Sequence, residues 1–355
     1  MAQQDLHFFI GTQGDGDGQG ILHGTLNSTT GDILLNGLAA EVRRPTWLAV
    51  DRENGRLFAV SEVGNKGDCA GEVLSFAIGG TQPPLASLAR VSAGGGGTTH
   101  LCLSPECDLI YAANFGGGQA ARIPVLPDGQ LGAAELSAQH TGFGPHPRQN
   151  QPHPHGVTLC PDGRFLLVPD MGNDQLVIHA LTREGFAKAE PAKCQLPAGA
   201  GPRLALFGTQ GDRVYLLTEL SAEIYVLDWD SQNGVLDIAA QYHLDQPGAD
   251  GQPSAAALLI SGDGRFLYAS NRRSGTICVF AIEPASGLLS LIQSIDCGGE
   301  KPWGAGLSPD GCWLLVANQA SNSIAALRRS VESGMLAIVD GGAIHVQSPT
   351  HIAFA

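Results

Sequence analysis

Residues 140–155 (HTGFGPHPRQNQPHPH) concentrate groups that move protons and bind anions, holding four of the chain's 11 histidines beside Arg148, Gln149 and Asn150. Imidazole exchanges a proton near neutral pH, guanidinium grips a carboxylate or phosphate through paired hydrogen bonds, and amides suit hydroxyl groups. The prolines hold this backbone extended, so the side chains of His153 and His155 are expected to point the same way. Two long carboxylates, Glu62 and Glu219, close apolar runs (LFAVSE and YLLTE) where a short capping residue is usual, and Arg272-Arg273 follow another such run. Carboxylate, imidazole and guanidinium form the set that activates water and stabilises a developing negative charge.

A repeat is what brings these residues together. An apolar strand, a polar turn, a second apolar strand ending in a polar residue and a third strand recur, most plainly at 154–181 (PHGVTLC, PDG, RFLLVPD, MGND, QLVIHAL). Units start near Pro45, Thr98, Pro154, Pro202, Ala255, Pro302 and Pro349, a step of about 50 residues of the kind radial sheet repeats show. The unit at Pro349 is split: PTHIAFA matches the opening of the Pro45 unit, and LHFFIGTQ near the N-terminus reads as its second strand. The fold expected is all-β, a seven-bladed β-propeller filling residues 1–355 as one domain. Its ring is closed by a C-terminal innermost strand that completes the N-terminal blade. Asp-Gly turns at 162–163, 263–264 and 310–311 agree with this.

In such a blade the start of the first strand and the end of the second share one face of the disc. One ring there is Thr46, Thr99, His155, Arg203, Ala256, Trp303 and Thr350; a second is Glu62, Asn114, Asp170, Glu219, Asn271 and Asn318. Both converge on the channel mouth, the concave site of a propeller. An Asn or Asp in the second ring can equally cap its own turn.

Composition bounds the partners. With 20 Lys+Arg against 34 Asp+Glu the formal charge is -14, which argues against nucleic acid or an anionic membrane surface. Local arginines can still bind a small anion. The eight cysteines form no CxxC pattern, and the opening MAQQDLHFFIGT has no basic region and no long apolar segment. A soluble, reducing, cytoplasmic setting is expected, with a monomer or weak homodimer because ring closure removes sheet edges. His153, His155 and Glu219 could make a two-histidine, one-carboxylate metal set, but no HExxH or comparable spacing occurs. Neither metal nor cofactor is expected. No Gly-x-Ser-x-Gly elbow occurs either.

GFGPHPRQNQPHPH followed by PDGRFLLVPDMGND, together with LLTEL around Glu219 and YASNRRSGTICVF at 268–280, resembles the seven-bladed lactonase family. That family includes bacterial 6-phosphogluconolactonases and the fungal carboxy-cis,cis-muconate cyclase, and the likeness runs the full length. It implies hydrolysis of a sugar-acid lactone, foremost 6-phosphogluconolactone, with functional histidine at His155 or His153, acid at Glu219 and arginines at Arg148 and Arg272. Trp303 in Glu300-Lys301-Pro302-Trp303 stands where the family pattern carries an arginine. A non-phosphorylated lactone therefore stays open as substrate, as do cycloisomerisation and a non-enzymatic binding role. On the lactonase reading Glu219 is the base, acting through water, and His155 shares that role or protonates the leaving alkoxide, with His153 beside it. Arg272 holds the oxyanion or a carboxylate, and Arg148 the anionic tail. Gln149, Asn150 and Asn271 suit sugar hydroxyls, with Glu62 and Asp170 as further substrate contacts at the same mouth.

Overall fold

The computed structural model describes residues 5–16, 19–79 and 85–355. Its strands follow from period-2 burial on both faces. In Arg56–Ser61, Leu57 and Ala59 enter one hydrophobic cluster with the preceding blade, while Phe58 and Val60 enter another with the following blade. Seven such clusters lie between successive sheets around the ring. Each fully buried Leu, Val or Phe contributes about 1.5–3 kcal/mol relative to exposure, so blade–blade packing is the main source of stability.

The described residues form seven sheets, six of four strands and one of five. Pro349–Phe354 is the innermost strand of the sheet continued by Asp5–Thr12, Gly20–Asn27 and Ile33–Glu41. It runs antiparallel to Asp5–Thr12, with Phe8 opposite Phe354 and Ile10 opposite Ile352. The protein is thus an all-β, seven-bladed propeller sealed by its C-terminal strand. At the Asp-Gly turns, Gly163, Gly264 and Gly311 have φ of 72°, 70° and 69°. Asp162, Asp263 and Asp310 accept hydrogen bonds from the backbone N–H two residues on.

The fourth blade departs from the expected pattern. Its opening strand shrinks to Thr158–Leu159, and the Pro152–His155 stretch keeps only an isolated bridge between Pro154 and Asp170. Prolines 152 and 154 have no N–H to give a ladder. The bonds from His155 N to the Pro169 carbonyl (2.9 Å) and from Met171 N to the His153 carbonyl (2.9 Å) keep the stretch in line.

The ends of the second strands carry two successive rings where one was expected. Thr12, Ser61, Asn114, Asp170, Thr218, Asn271 and Asn318 end these strands and are 0–4% exposed. The residues that follow them, Gln13, Glu62, Phe115, Met171, Glu219, Arg272 and Gln319, form the second ring. This offset separates side chains that fix the fold from side chains that reach the mouth. Thr46 bonds Glu62 and Arg203 bonds Glu219, each pair with the same separation of 16 residues.

Candidate active site

Glu219 lies one residue beyond the strand Arg213–Thr218, whose final Thr218 takes the capping position by bonding Ser221 Oγ (2.7 Å) and the N–H of Glu223 (3.0 Å). The carboxylate is thereby freed to face the mouth, yet it is only 2% exposed. Its Oε1 accepts from Arg148 Nη1 (2.5 Å) and is ion-paired with Arg272 Nη2 at 2.9 Å. Its Oε2 accepts from Arg203 Nε (2.9 Å) and faces His155 Nε2 at 3.4 Å. Burial alone would raise the pKa of this carboxyl. Arg272, the bond from His155 and Arg203 outweigh it and hold the group well below the usual carboxylate range.

His155 responds in the opposite sense. Burial first, and then Arg203, lower its pKa against the pull of Glu219, so the imidazole is neutral at pH 7. The nitrogen facing a carboxylate carries the proton, which assigns Nε2–H and leaves Nδ1 with the lone pair. Nδ1 is buried and has no hydrogen-bond partner among the described residues. Burial pushes Arg203 down to about 10, where it is still a cation at neutral pH. Three guanidiniums against one carboxylate leave the mouth with excess positive charge.

Trp303 supports these cations. The Arg272 guanidinium lies 4.7 Å from its ring centroid, Lys301 Nζ 5.5 Å and the Arg203 guanidinium 5.9 Å, all within cation–π range. The tryptophan is a platform for three positive groups. Beside it opens a cleft of about 550 Å³ whose lining includes Ser254, Arg272, Arg273, Asp296, Glu300 and Lys301. Below, Thr46, Thr99, His155, Arg203 and Thr350 line a small pocket. Trp47, packed at a tilt between His100 (4.1 Å) and His351 (3.9 Å), lines this pocket and also a 280 Å³ cavity.

The structure brings Glu219, His155, Arg272 and Arg148 together, and it adds Arg203. That residue is the one Lys or Arg among the blade-opening positions, which was the available signal. Glu62 forms a second cluster at the mouth, accepting from Thr46 Oγ1 (2.6 Å), Asn65 Nδ2 (2.8 Å) and Thr99 Oγ1 (3.3 Å). Asn150 is exposed at the rim, with Oδ1 3.4 Å from His153 Nε2.

Four expectations are corrected. His153 does not join Glu219: its Nδ1 donates to the Phe115 carbonyl (2.9 Å) and its ring stacks on Phe115, which meets His155 edge-on. The two-histidine, one-carboxylate set is therefore not assembled, and among the described residues no group of three or more His, Cys, Asp or Glu could hold a metal ion. Asp170 is a buried hub that accepts from His140 Nδ1 (2.7 Å), His153 N (2.7 Å), Gly172 N (3.0 Å) and Asn173 Nδ2 (3.2 Å). Asn271 donates to Asp245 (2.6 Å) and accepts from the N–H groups of Arg273 and Ser274. Gln149 is fully buried and ties the 140–155 loop to the Met171 carbonyl (2.8 Å) and Asp174 (2.6 Å). The side chains of Asp170, Asn271 and Gln149 are buried and bonded to the fold rather than turned into the mouth.

Burial holds two further histidines far below their ordinary value, to about 3, His179 also feeling His140. A folded pKa below the unfolded one means that the unfolded chain takes up the proton first as pH falls. Stability is therefore expected to decline from about pH 6.5 downward, by up to about 1.4 kcal/mol per pH unit for each such histidine. Thermal unfolding between pH 7.5 and 4 measures this. His351→Gln, which keeps an acceptor for the Leu48 N–H that His351 Nδ1 now accepts, flattens the slope; a profile flat down to pH 4.5 contradicts the expectation.

Comparison with known proteins identifies the family. The lactonase, 7-bladed beta-propeller family model matches residues 7–354. The chain belongs to this family. A 6-phosphogluconolactonase of Bacillus subtilis is 27% identical, over 98% of this chain and 97% of its own. The structure of a periplasmic gluconolactonase of Pseudomonas aeruginosa is 30% identical, covers 99% of both chains and superimposes with a TM-score of 0.91. A putative 6-phosphogluconolactonase of Bacteroides fragilis is 27% identical with a TM-score of 0.87, covering 99% of this chain and 98% of its own. The protein is accordingly a propeller lactonase, a hydrolase of the lactonase type. The expected cytoplasmic setting does not stand, because a relative sharing the whole fold is periplasmic. Thiol content and the first dozen residues were insufficient grounds for assigning a compartment.

Proposed function

We propose that this propeller lactonase hydrolyses the δ-lactone of a phosphorylated sugar acid, 6-phosphogluconolactone being the substrate that fits best. The observation that carries this is the single buried carboxylate ringed by three guanidiniums and a neutral imidazole at the channel mouth. One negative charge balances one of three positive ones, so the site keeps positive charge for an anionic substrate and for the oxyanion. The Bacillus subtilis relative acts on this lactone by its name, which supports the reading.

Glu219 orients a water against the lactone carbonyl and takes its proton as the new C–O bond forms. The oxyanion rests on Arg272, which lies over the Trp303 ring and has a buried Nε with no hydrogen-bond partner among the described residues. On collapse the ring C–O bond breaks, His155 Nε2–H gives its proton to the departing alkoxide, and Glu219 reprotonates His155. The product is an open hydroxy acid, which loses its own proton at pH 7. No step requires a covalent enzyme intermediate.

The test follows acid release from 6-phosphogluconolactone, glucono-δ-lactone and a γ-lactone, with spontaneous opening subtracted and with chelator present or absent. Enzymatic opening with a higher kcat/KM on the phosphorylated compound is expected, unchanged by chelator. Faster turnover of the unphosphorylated lactone removes the phosphate from the proposal. A chelator-sensitive rate, or a propeller that closes a carboxymuconate ring and opens no lactone, overturns it.

A further inference from the structure

The three arginines on Glu219 differ in kind. Arg203 and Arg272 have side chains 4% exposed, whereas the Arg148 side chain is 50% exposed and still makes the shortest contact, 2.5 Å to Oε1. Its backbone is fixed, because Gln149 next to it is buried and bonded to Met171 and Asp174. The side chain is thus a solvated arm on a rigid post, with Met171 Sδ (3.7 Å) as its other contact. Glu219 accepts two hydrogen bonds, from Arg148 on Oε1 and from Arg203 on Oε2, with Arg272 Nη2 at 2.9 Å from Oε1 and His155 Nε2 at 3.4 Å from Oε2 as further ion-pair neighbours. Arg148 thus makes one of the two hydrogen bonds on a carboxylate that is itself buried, and a hydrolytic water approaching Oε1 from solvent competes with that bond.

We propose that Arg148 is a substrate-operated latch: it occupies the water position on Glu219 until the anionic tail of the substrate draws it away. The inference rests on the lactonase reading and deepens it, since it makes the phosphoryl group a switch as well as a handle. Arg148 is the donor that can leave, because it alone of the three meets solvent. A phosphoryl oxygen pair takes its fork bidentately at no loss to the buried pairs. Discrimination against unphosphorylated lactones then arises in the resting enzyme, from a contact that such substrates cannot release.

The test uses Arg148→Ala and Arg148→Lys in the full chain, with the two δ-lactones as substrates. Loss of the phosphoryl contact is expected to raise KM for 6-phosphogluconolactone by about 10- to 100-fold. Freeing Glu219 is expected to raise kcat for glucono-δ-lactone by about three- to tenfold in the same Arg148→Ala enzyme, with Lys intermediate in both. Inorganic phosphite added to the wild type should accelerate glucono-δ-lactone opening with saturation, and should do nothing to the Ala variant. A parallel fall of kcat on both lactones overturns the latch, as that pattern means direct transition-state stabilisation. An unchanged kcat on the neutral lactone, or a phosphite effect that survives in the Ala variant, overturns it as well. Wild type that opens no lactone fails the lactonase reading separately; phosphite binding by calorimetry then decides, its loss in the Ala variant supporting the latch and its retention removing it.

Discussion

Glu219→Gln is expected to lose about 10²–10⁴-fold in kcat, the range a positioned general base contributes, and to lower fold stability as well. The amide is nearly isosteric, so packing is unchanged. It brings a second donor group, however, into a site already crowded with N–H donors from Arg148, Arg203, Arg272 and His155. Two of those cations are buried, and leaving a buried charge uncompensated is destabilising by about 3–5 kcal/mol. Glu62→Gln is the control. Its neighbours within hydrogen-bond range are hydroxyls and an amide, with Arg44 at 3.9 Å and 30% exposed, so no buried cation is orphaned. Steady-state kinetics on the phosphorylated lactone with thermal unfolding of both variants separates the outcomes. Retention of wild-type kcat within about threefold in Glu219→Gln removes this carboxylate from the chemistry. Equal stability losses in the two variants contradict the account of its buried pairs.

The contrast between these glutamates shows what could be read from the chain. Glu219 was legible because a long carboxylate stands where a short cap is usual, and the structure explains the anomaly: Thr218 caps, and the glutamate is pushed one position on. The same one-residue offset hides the difference between Asn271, which is a cap, and Arg272, which reaches the mouth. Residue type does not reveal it, because an amide that holds a turn and an amide that holds a sugar are chemically alike. Gln149 and Asp170 were misjudged for that reason too, as these partners come from residues 22 to 30 positions away in the chain. Arg203 was visible as a blade opener but gained meaning only once the blades were closed against each other, setting its guanidinium on Glu219 and over Trp303. Fold was more legible than site, since the repeat is written in apolar alternation and needs no knowledge of which polar partner each side chain chooses.

Removing residues 349–355 is expected to leave no cooperatively folded protein. The strand Pro349–Phe354 pairs with Asp5–Thr12 on one edge and presses against neighbouring blades on its faces: Ile352 and Phe354 belong to the cluster shared with the seventh blade. Deleting such side chains costs about 2–5 kcal/mol for Ile and 3–5 kcal/mol for Phe, before the lost ladder is counted. Total stability of about 5–15 kcal/mol does not survive that. The closeness of the seam is marked by Gly304, where an added Cβ would lie 2.0 Å from the Thr350 carbonyl oxygen, so Gly304→Ala should weaken the same seam in the full chain. Function goes with the fold, because Thr350 lines the pocket beneath His155. Circular dichroism melts of the truncated protein check the stability claim, and a circular permutant with residues 1 and 355 joined and new ends opened in the exposed 246–251 loop checks its cause. If the ring seal is what the terminal strand supplies, the permutant keeps a cooperative melt and lactone turnover while the truncation keeps neither. A truncated chain that melts within a few degrees of the full one would mean that six complete blades and a partial seventh hold the ring without a seal, which the seven inter-blade clusters do not allow.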